Sequence, residues 1–212
     1  MSAAGRLTAV HADESCLGNG REGNNPGGAA GLITRLDART GGPARHDYWL
    51  AEKATTNNRM AIRSAIEALR ILSANGERSA IVFTSDSQYL VKGMREWVPG
   101  WIRRGWRRKE GALQNKELWQ QLAAAARRHD IDWRWVRGHE GHPQNEYANF
   151  LAVRAAERQD TSSGAVPSEF DAWLAGERSH GRMRGAVEAI PIARSFRPAP
   201  ALPPEPAASL FE

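Results

Sequence analysis

Residues 133–152, Trp-Arg-Trp-Val-Arg-Gly-His-Glu-Gly-His-Pro-Gln-Asn-Glu-Tyr-Ala-Asn-Phe-Leu-Ala, decide how the chain is read. They predict a short strand ending at Val136, a glycine-flanked loop carrying His139 and His142, and a helix opening at Pro143. Proline suits a first helical turn, because the N–H it lacks has no partner there in any case. Asn145 and Asn149 fall four residues apart and share one face of that helix. Strand, histidine loop and polar helix face together make the rim of a site. His142, directly before the proline, is expected to bond locally at the helix entry.

Upstream, Arg6–Asp13 alternates as a first strand, and a Gly- and Asn-rich loop follows it. Two more strands are expected near Ala29–Leu36 and Ala44–Ala51, divided by the turn Thr40-Gly41-Gly42-Pro43. Thr55-Thr56-Asn57-Asn58 offers helix-capping chemistry, and Ile62, Ile66 and Leu69 repeat at helical spacing. Ser79–Phe83 predicts a fourth strand, ending in Thr84-Ser85-Asp86-Ser87. Asn115–His129 reads as a helix and Ile131–Val136 as a fifth strand. The order βββαβ, then helices, then βα, describes a mixed five-stranded sheet with helices on both faces.

The chain has 212 residues, 41% of them hydrophobic, and no apolar run long enough to cross a membrane, so a soluble, cytoplasmic domain is expected. A lone cysteine, Cys16, excludes an internal disulfide framework and a thiolate zinc cage. The net charge is +5; residues 160–212 carry five arginines against seven acids, so residues 1–159 hold a balance of +7. A basic domain of this kind suits a polyanionic partner. Seven of the eleven prolines lie beyond Gln159. That shift divides the chain into a domain, 1–159, and a Pro-rich, largely disordered tail, 160–212, with a short helix expected near 168–175.

Asp13 and Asp86 both end predicted strands, at the sheet edge where open α/β folds bind ligands. Two converging carboxylates suit Mg²⁺, which prefers oxygen ligands. Taken singly, each reads more readily as an ordinary turn-starting aspartate.

Four segments, in order, resemble the motifs of type 1 ribonuclease H. Ala12-Asp13-Glu14-Ser15-Cys16-Leu17-Gly18-Asn19 is similar to the first, Thr56-Asn57-Asn58-Arg59-Met60 to the second and Thr84-Ser85-Asp86-Ser87-Gln88-Tyr89 to the third. The last is Trp-Val-Arg-Gly-His-Glu-Gly-His-Pro-Gln-Asn-Glu, within the stretch quoted above. The resemblance runs from about Leu7 to Glu157. It implies a ribonuclease H-like α/β fold that holds an RNA/DNA hybrid and cuts the RNA strand with two Mg²⁺, Mn²⁺ being an alternative.

The family holds its metals with four acids, and the resemblance places two of them here, Asp13 and Asp86. The helix glutamate is replaced by Ala61 and the last aspartate by Asn149. The glycine usual after the first aspartate is Glu14, which strand alternation sends to the opposite face from Asp13. Two Mg²⁺ roughly 4 Å apart repel strongly without enough anions between them. Weakened metal binding and a lost or strongly impaired nuclease are therefore the leading expectation. The alternative is an active Mg²⁺-dependent enzyme with a rearranged metal site, and the second alternative a non-enzymatic scaffold recruited through its tail.

The resemblance also gives His139 the place of the family's mobile catalytic histidine. Asn19, Asn57, Gln88 and Asn145 match minor-groove contacts, and Thr56 with Arg59 matches a DNA-phosphate pocket. Trp101, Arg103, Arg104 and Trp106 resemble the basic protrusion that also contacts substrate. A monomer is expected. In the tail, Ser209-Leu210-Phe211 resembles the end of a sliding-clamp-binding peptide, which makes the clamp a second candidate partner.

Overall fold

The computed structural model describes residues 7–18, 25–74, 76, 78–108, 110–138, 140–190 and 193–206. The strands are β1 (Leu7–Cys16), β2 (Gly27–Leu36), β3 (Pro43–Glu52), β4 (Ala80–Ser85), β5 (Asp130–Trp135) and β6 (Val166–Pro167). The α-helices are α1 (Asn57–Leu72), α2 (Gln88–Lys92), α3 (Val98–Arg103), α4 (Lys116–Ala126), α5 (Pro143–Arg158) and α6 (Phe170–Ser179), with one π-helical turn, Gly93–Trp97, between α2 and α3. The sheet order is β5-β4-β1-β2-β3-β6. β1, β2 and β3 form an antiparallel meander, while β4 and β5 run parallel to β1. The expected architecture is therefore present, with a sixth strand contributed by the segment after residue 159.

Alternation along the central strands explains the two helical layers. Val10, Ala12, Ala29 and Ile33 point to one face, where α1 and α4 cover them with Met60, Leu69, Trp119 and Leu122. Ala30 and Leu32 point to the other, against Tyr147, Leu151 and Ala152 of α5. α5 lies unusually close to the sheet: a Cβ added at Gly28 would collide with the backbone carbonyl of Ala152. Glycine there lets the helix backbone rest on β2 and fixes the height of everything α5 carries.

The segment after Gln159, expected to be largely disordered, lies along the domain as far as it is described. β6 pairs antiparallel with β3 at His46↔Pro167 and Asp47↔Val166. Phe170 and Leu174 of α6 are buried against α5, forming a second apolar core with Tyr147. Tyr147 donates from its hydroxyl to Asp47 at 2.6 Å, and the same carboxylate accepts from the Glu169 amide. Further on, the Ala199 amide donates to the Ile131 carbonyl on the outer side of β5. Composition could not reveal this, because the anchoring partners are main-chain groups and single side chains scattered along the domain. Ser209-Leu210-Phe211 lies outside the described residues.

Candidate active site

β1 and β4 run side by side only to Ala12↔Ser85. Beyond that pair the two chains diverge, and the carboxylates of the next residues stand in the gap. Asp13 faces α5 and is 4% exposed. Its Oδ1 accepts from the Glu14 amide at 2.7 Å, and its Oδ2 accepts from the Asn145 side-chain amide at 2.8 Å. Asp86 follows β4; the Trp135 indole donates to its main-chain carbonyl at 2.9 Å. Gly138 packs on its carboxylate so closely that a Cβ there would overlap Oδ2. That close approach accounts for the glycine before the histidine loop.

Glu14 corrects the sequence reading. Its carboxylate joins those of Asp13 and Asp86, with ligand-capable oxygens within 4.8 Å of one another. Alternation does start the side chain on the α1 face, with Val10 and Ala12. However, β1 has no β4 neighbour beyond Ala12, and at that open strand end the carboxylate bonds the Ser87 side chain. Position 61 is a buried alanine on that same face. Thus the third acid reaches the site from the strand.

Three carboxylates this close, sheltered from water, resist ionisation. Burial, and then the neighbouring Asp86 charge, push the Asp13 carboxyl up to about 8. Burial and the Asp13 and Asp86 charges likewise hold Glu14 well above the usual carboxylate range. At an effective dielectric near 20, each such pair repels by about 3 kcal/mol, which a divalent cation would reverse. The donors are hard oxygens, as Mg²⁺ requires. Asn145 stands beside them with its Nδ2 on Asp13, and its buried Oδ1 has no hydrogen-bond partner among the described residues. These residues fit a divalent cation.

The remaining expected site residues are distributed as follows. Asn149, one turn beyond Asn145, lines an outer groove with Glu146, Phe150 and Arg154. Ala61 is packed in the core. Thr56 caps α1, accepting from the Arg59 amide at 3.4 Å, and the Arg59 guanidinium is drawn to Glu52 at 3.4 Å. Asn57 begins the helix with its Oδ1 buried and without a hydrogen-bond partner among the described residues. Gln88 opens α2 and is exposed. His139 and Asn19 lie outside the described residues. His142 caps α5, its Nδ1 accepting from the Asn145 amide at 3.4 Å.

The protrusion is only partly as expected. Arg103 and Arg104 are exposed at the end of α3, and Trp101 is half-buried in an aromatic stack with Trp97 and Trp119. Trp106 is turned into the core. It is 6% exposed, and its indole donates to Glu205 at 2.9 Å. Its left-handed backbone, φ 60°, turns the ring inward after Gly105.

The RNase H family model matches residues 6–157. A ribonuclease H of Xanthomonas oryzae is 46% identical over 151 residues, covering 71% of this chain and 92% of the relative. A ribonuclease HI of Caulobacter vibrioides is 41% identical over 145 residues, covering 68% and 88%. Among solved structures, LC9-RNase H1, described as a type 1 RNase H with the type 2 active-site motif, superposes with a TM-score of 0.88 at 52% identity. That match covers 96% of both chains.

Proposed function

Since the chain belongs to the RNase H family, we propose that it is an active ribonuclease H that hydrolyses the RNA strand of RNA/DNA hybrids with Mg²⁺. The observation that carries this is the Glu14 carboxylate beside Asp13 and Asp86. The loss of activity expected from Ala61 and Asn149 rested on a count of two acids, and Glu14 supplies a third. LC9-RNase H1 offers a precedent for an altered motif within a type 1 fold.

In this reading Asp13, Glu14 and Asp86 hold the cation. Bound Mg²⁺ would supply charge stabilisation at the scissile phosphate and an activated water. The protein's own part is positional. Asn145 holds one oxygen of Asp13 and the Glu14 amide holds the other, so the carboxylate cannot rotate. Arg103, Arg104 and Trp101 are suited to the hybrid backbone away from the cut, with Thr56, Asn57 and Gln88 along the groove. A nucleic acid carrying one charge per phosphate is drawn to that basic side without regard to sequence.

The test is cleavage of a labelled hybrid by wild type and Glu14→Gln in Mg²⁺ and Mn²⁺, with binding measured in EDTA. Wild type should cut; the variant should lose at least about 100-fold in kcat, since ligand loss exceeds the effect of removing an outer-shell partner. It should still bind hybrid. Equal cutting by the variant would remove Glu14 from the site, and no cutting by wild type in either metal would restore the inactive reading.

A further inference from the structure

Glu188 lies outside the matched family segment, residues 6–157, yet it touches the elements that carry the site. One of its oxygens, Oε2, accepts from His11 Nε2 at 2.9 Å and lies 3.3 Å from His142 Nε2. Its backbone is held as well: Gln144 Nε2 donates to the Glu188 carbonyl at 2.7 Å, and the Glu188 amide donates to Gln144 Oε1 at 3.2 Å. These partners are placed purposefully. His11 is two residues before Asp13 on the same face of β1. His142 caps α5 through the amide of Asn145, and Asn145 bonds Asp13.

We infer that Glu188 is a positioning residue of the active site. It joins β1 to the first turn of α5 and so sets the distance between Asp13 and Asn145. The chain of contacts is short and continuous: Glu188 to His142, His142 to the Asn145 amide, and the Asn145 side chain to Asp13. A second branch runs through His11 on the strand itself. Without Glu188, two ring N–H groups would lose their acceptor, one of them on His11, which is 2% exposed. A buried donor without a partner costs enough to make the rings move.

Two histidines and a carboxylate within 4.8 Å could also suggest a metal ligand set. The far sides of the rings argue otherwise. His142 Nδ1 is an acceptor, so in the neutral ring Nε2 bears the proton and donates to Glu188. His11 Nδ1 is buried with no hydrogen-bond partner among the described residues, whereas a metal-bound imidazole needs an acceptor for that N–H. The arrangement is that of two donors gathered on one carboxylate.

The kinetic part of this inference rests on the hydrolase reading above; its spectroscopic part does not. The experiment compares Glu188→Ala and Glu188→Gln with wild type in the full chain, below their melting temperatures. In the alanine variant kcat should fall, and the Mg²⁺ concentration for half-maximal rate should rise, each by about 10-fold, the usual effect of losing a ligand's supporting partner. KM for hybrid should stay within about 2-fold, since no substrate contact is removed. Glutamine keeps an oxygen that can accept from both rings and should restore most of the loss. In EDTA, the Asn145 side-chain NH₂ signals should lose protection from exchange in Glu188→Ala and keep it in Glu188→Gln. A lower Tm with unchanged kcat, Mg²⁺ dependence and Asn145 signals would make Glu188 a stabilising contact only and overturn the proposal. A Zn²⁺-dependent rise in Tm that vanishes in Glu188→Ala would overturn it in favour of a metal site. If wild type proves unable to cut, the Asn145 signals alone decide.

Discussion

One methylene separates glutamate from aspartate, and at position 14 that methylene decides the site. The Cα of residue 14 is on the strand, but the gap holding Asp13 and Asp86 lies round its end. Glu14→Asp keeps the charge and loses the reach. Its kcat in Mg²⁺ should therefore fall by about as much as that of Glu14→Gln, at least about 100-fold. A variant retaining most of its activity would show that charge near the gap is enough. The buried acids also have a thermodynamic signature. Asp13 keeps its proton up to about pH 8 when folded without metal, against a reference value of 3.8. Between those limits the folded state binds more protons than the unfolded one, so its stability falls as pH rises. Without competing metal, Tm in EDTA should decline from about pH 5 towards about pH 8.5 at this group's expense. Mg²⁺, which must displace any bound proton, should raise Tm more at the upper end. Calorimetry with and without Mg²⁺ at the two pH values checks both signs.

Among the elements, the chain beyond Gln159 acts as a strap with three anchorages. β6 and α6 hold its start, Glu188 grips the entry of α5, and residues 197–205 follow β5 and α4. At the last anchorage Arg127 donates to the Leu202 and Pro203 carbonyls, and Glu205 accepts from Trp106. Glu205→Ala should cost about 1 kcal/mol, since the carboxylate is half-exposed but its indole partner is not. At this chain length that is a fall in Tm of about 2–4 °C, with a change in tryptophan emission. The strap shows why sequence reading stopped where it did. The succession of strands and helices, the α5 start and the strand-end placing of Asp13 and Asp86 follow from alternation, capping residues and local spacing, all of which act over a few residues. The reach of Glu14 depended on where β4 stops pairing, and Glu188 on a partner 177 residues away. Neither distance is written in local pattern, and proline-rich composition says only that a segment forms no regular element by itself. The burial of Trp106 was hidden for the same reason: a tryptophan among arginines looks like a substrate contact, and its partner Glu205 is 99 residues away.

For the whole molecule, the distribution of charge matters more than its sum. The matched domain carries the positive excess and the strap a slight negative one, and Glu205 brings some of that negative charge to the protrusion. Replacing Arg103, Arg104, Arg107 and Arg108 with alanine should weaken binding equally on all hybrids. It should also flatten the plot of log affinity against log salt by up to about 3–4 units. An unaltered slope would mean that this face does not meet the backbone.

The strap also touches both borders of the sheet. β5 and β3 would otherwise be its two borders; the Ala199 amide bonds to one and β6 pairs with the other. A protein ended after Gln159 would present unpaired main-chain groups along both sides, each a template for a neighbouring molecule's strand. Such a protein should pass from monomers to head-to-side chains of sheets as its concentration rises, visible as growing light scattering that the full-length chain does not show. The two sides are not equivalent in their neighbours, so the first contact need not be symmetric, and nothing in its geometry would make the assembly close on itself. In that sense the strap is expected to act as a guard: it occupies, within one molecule, some of the places where a second would begin.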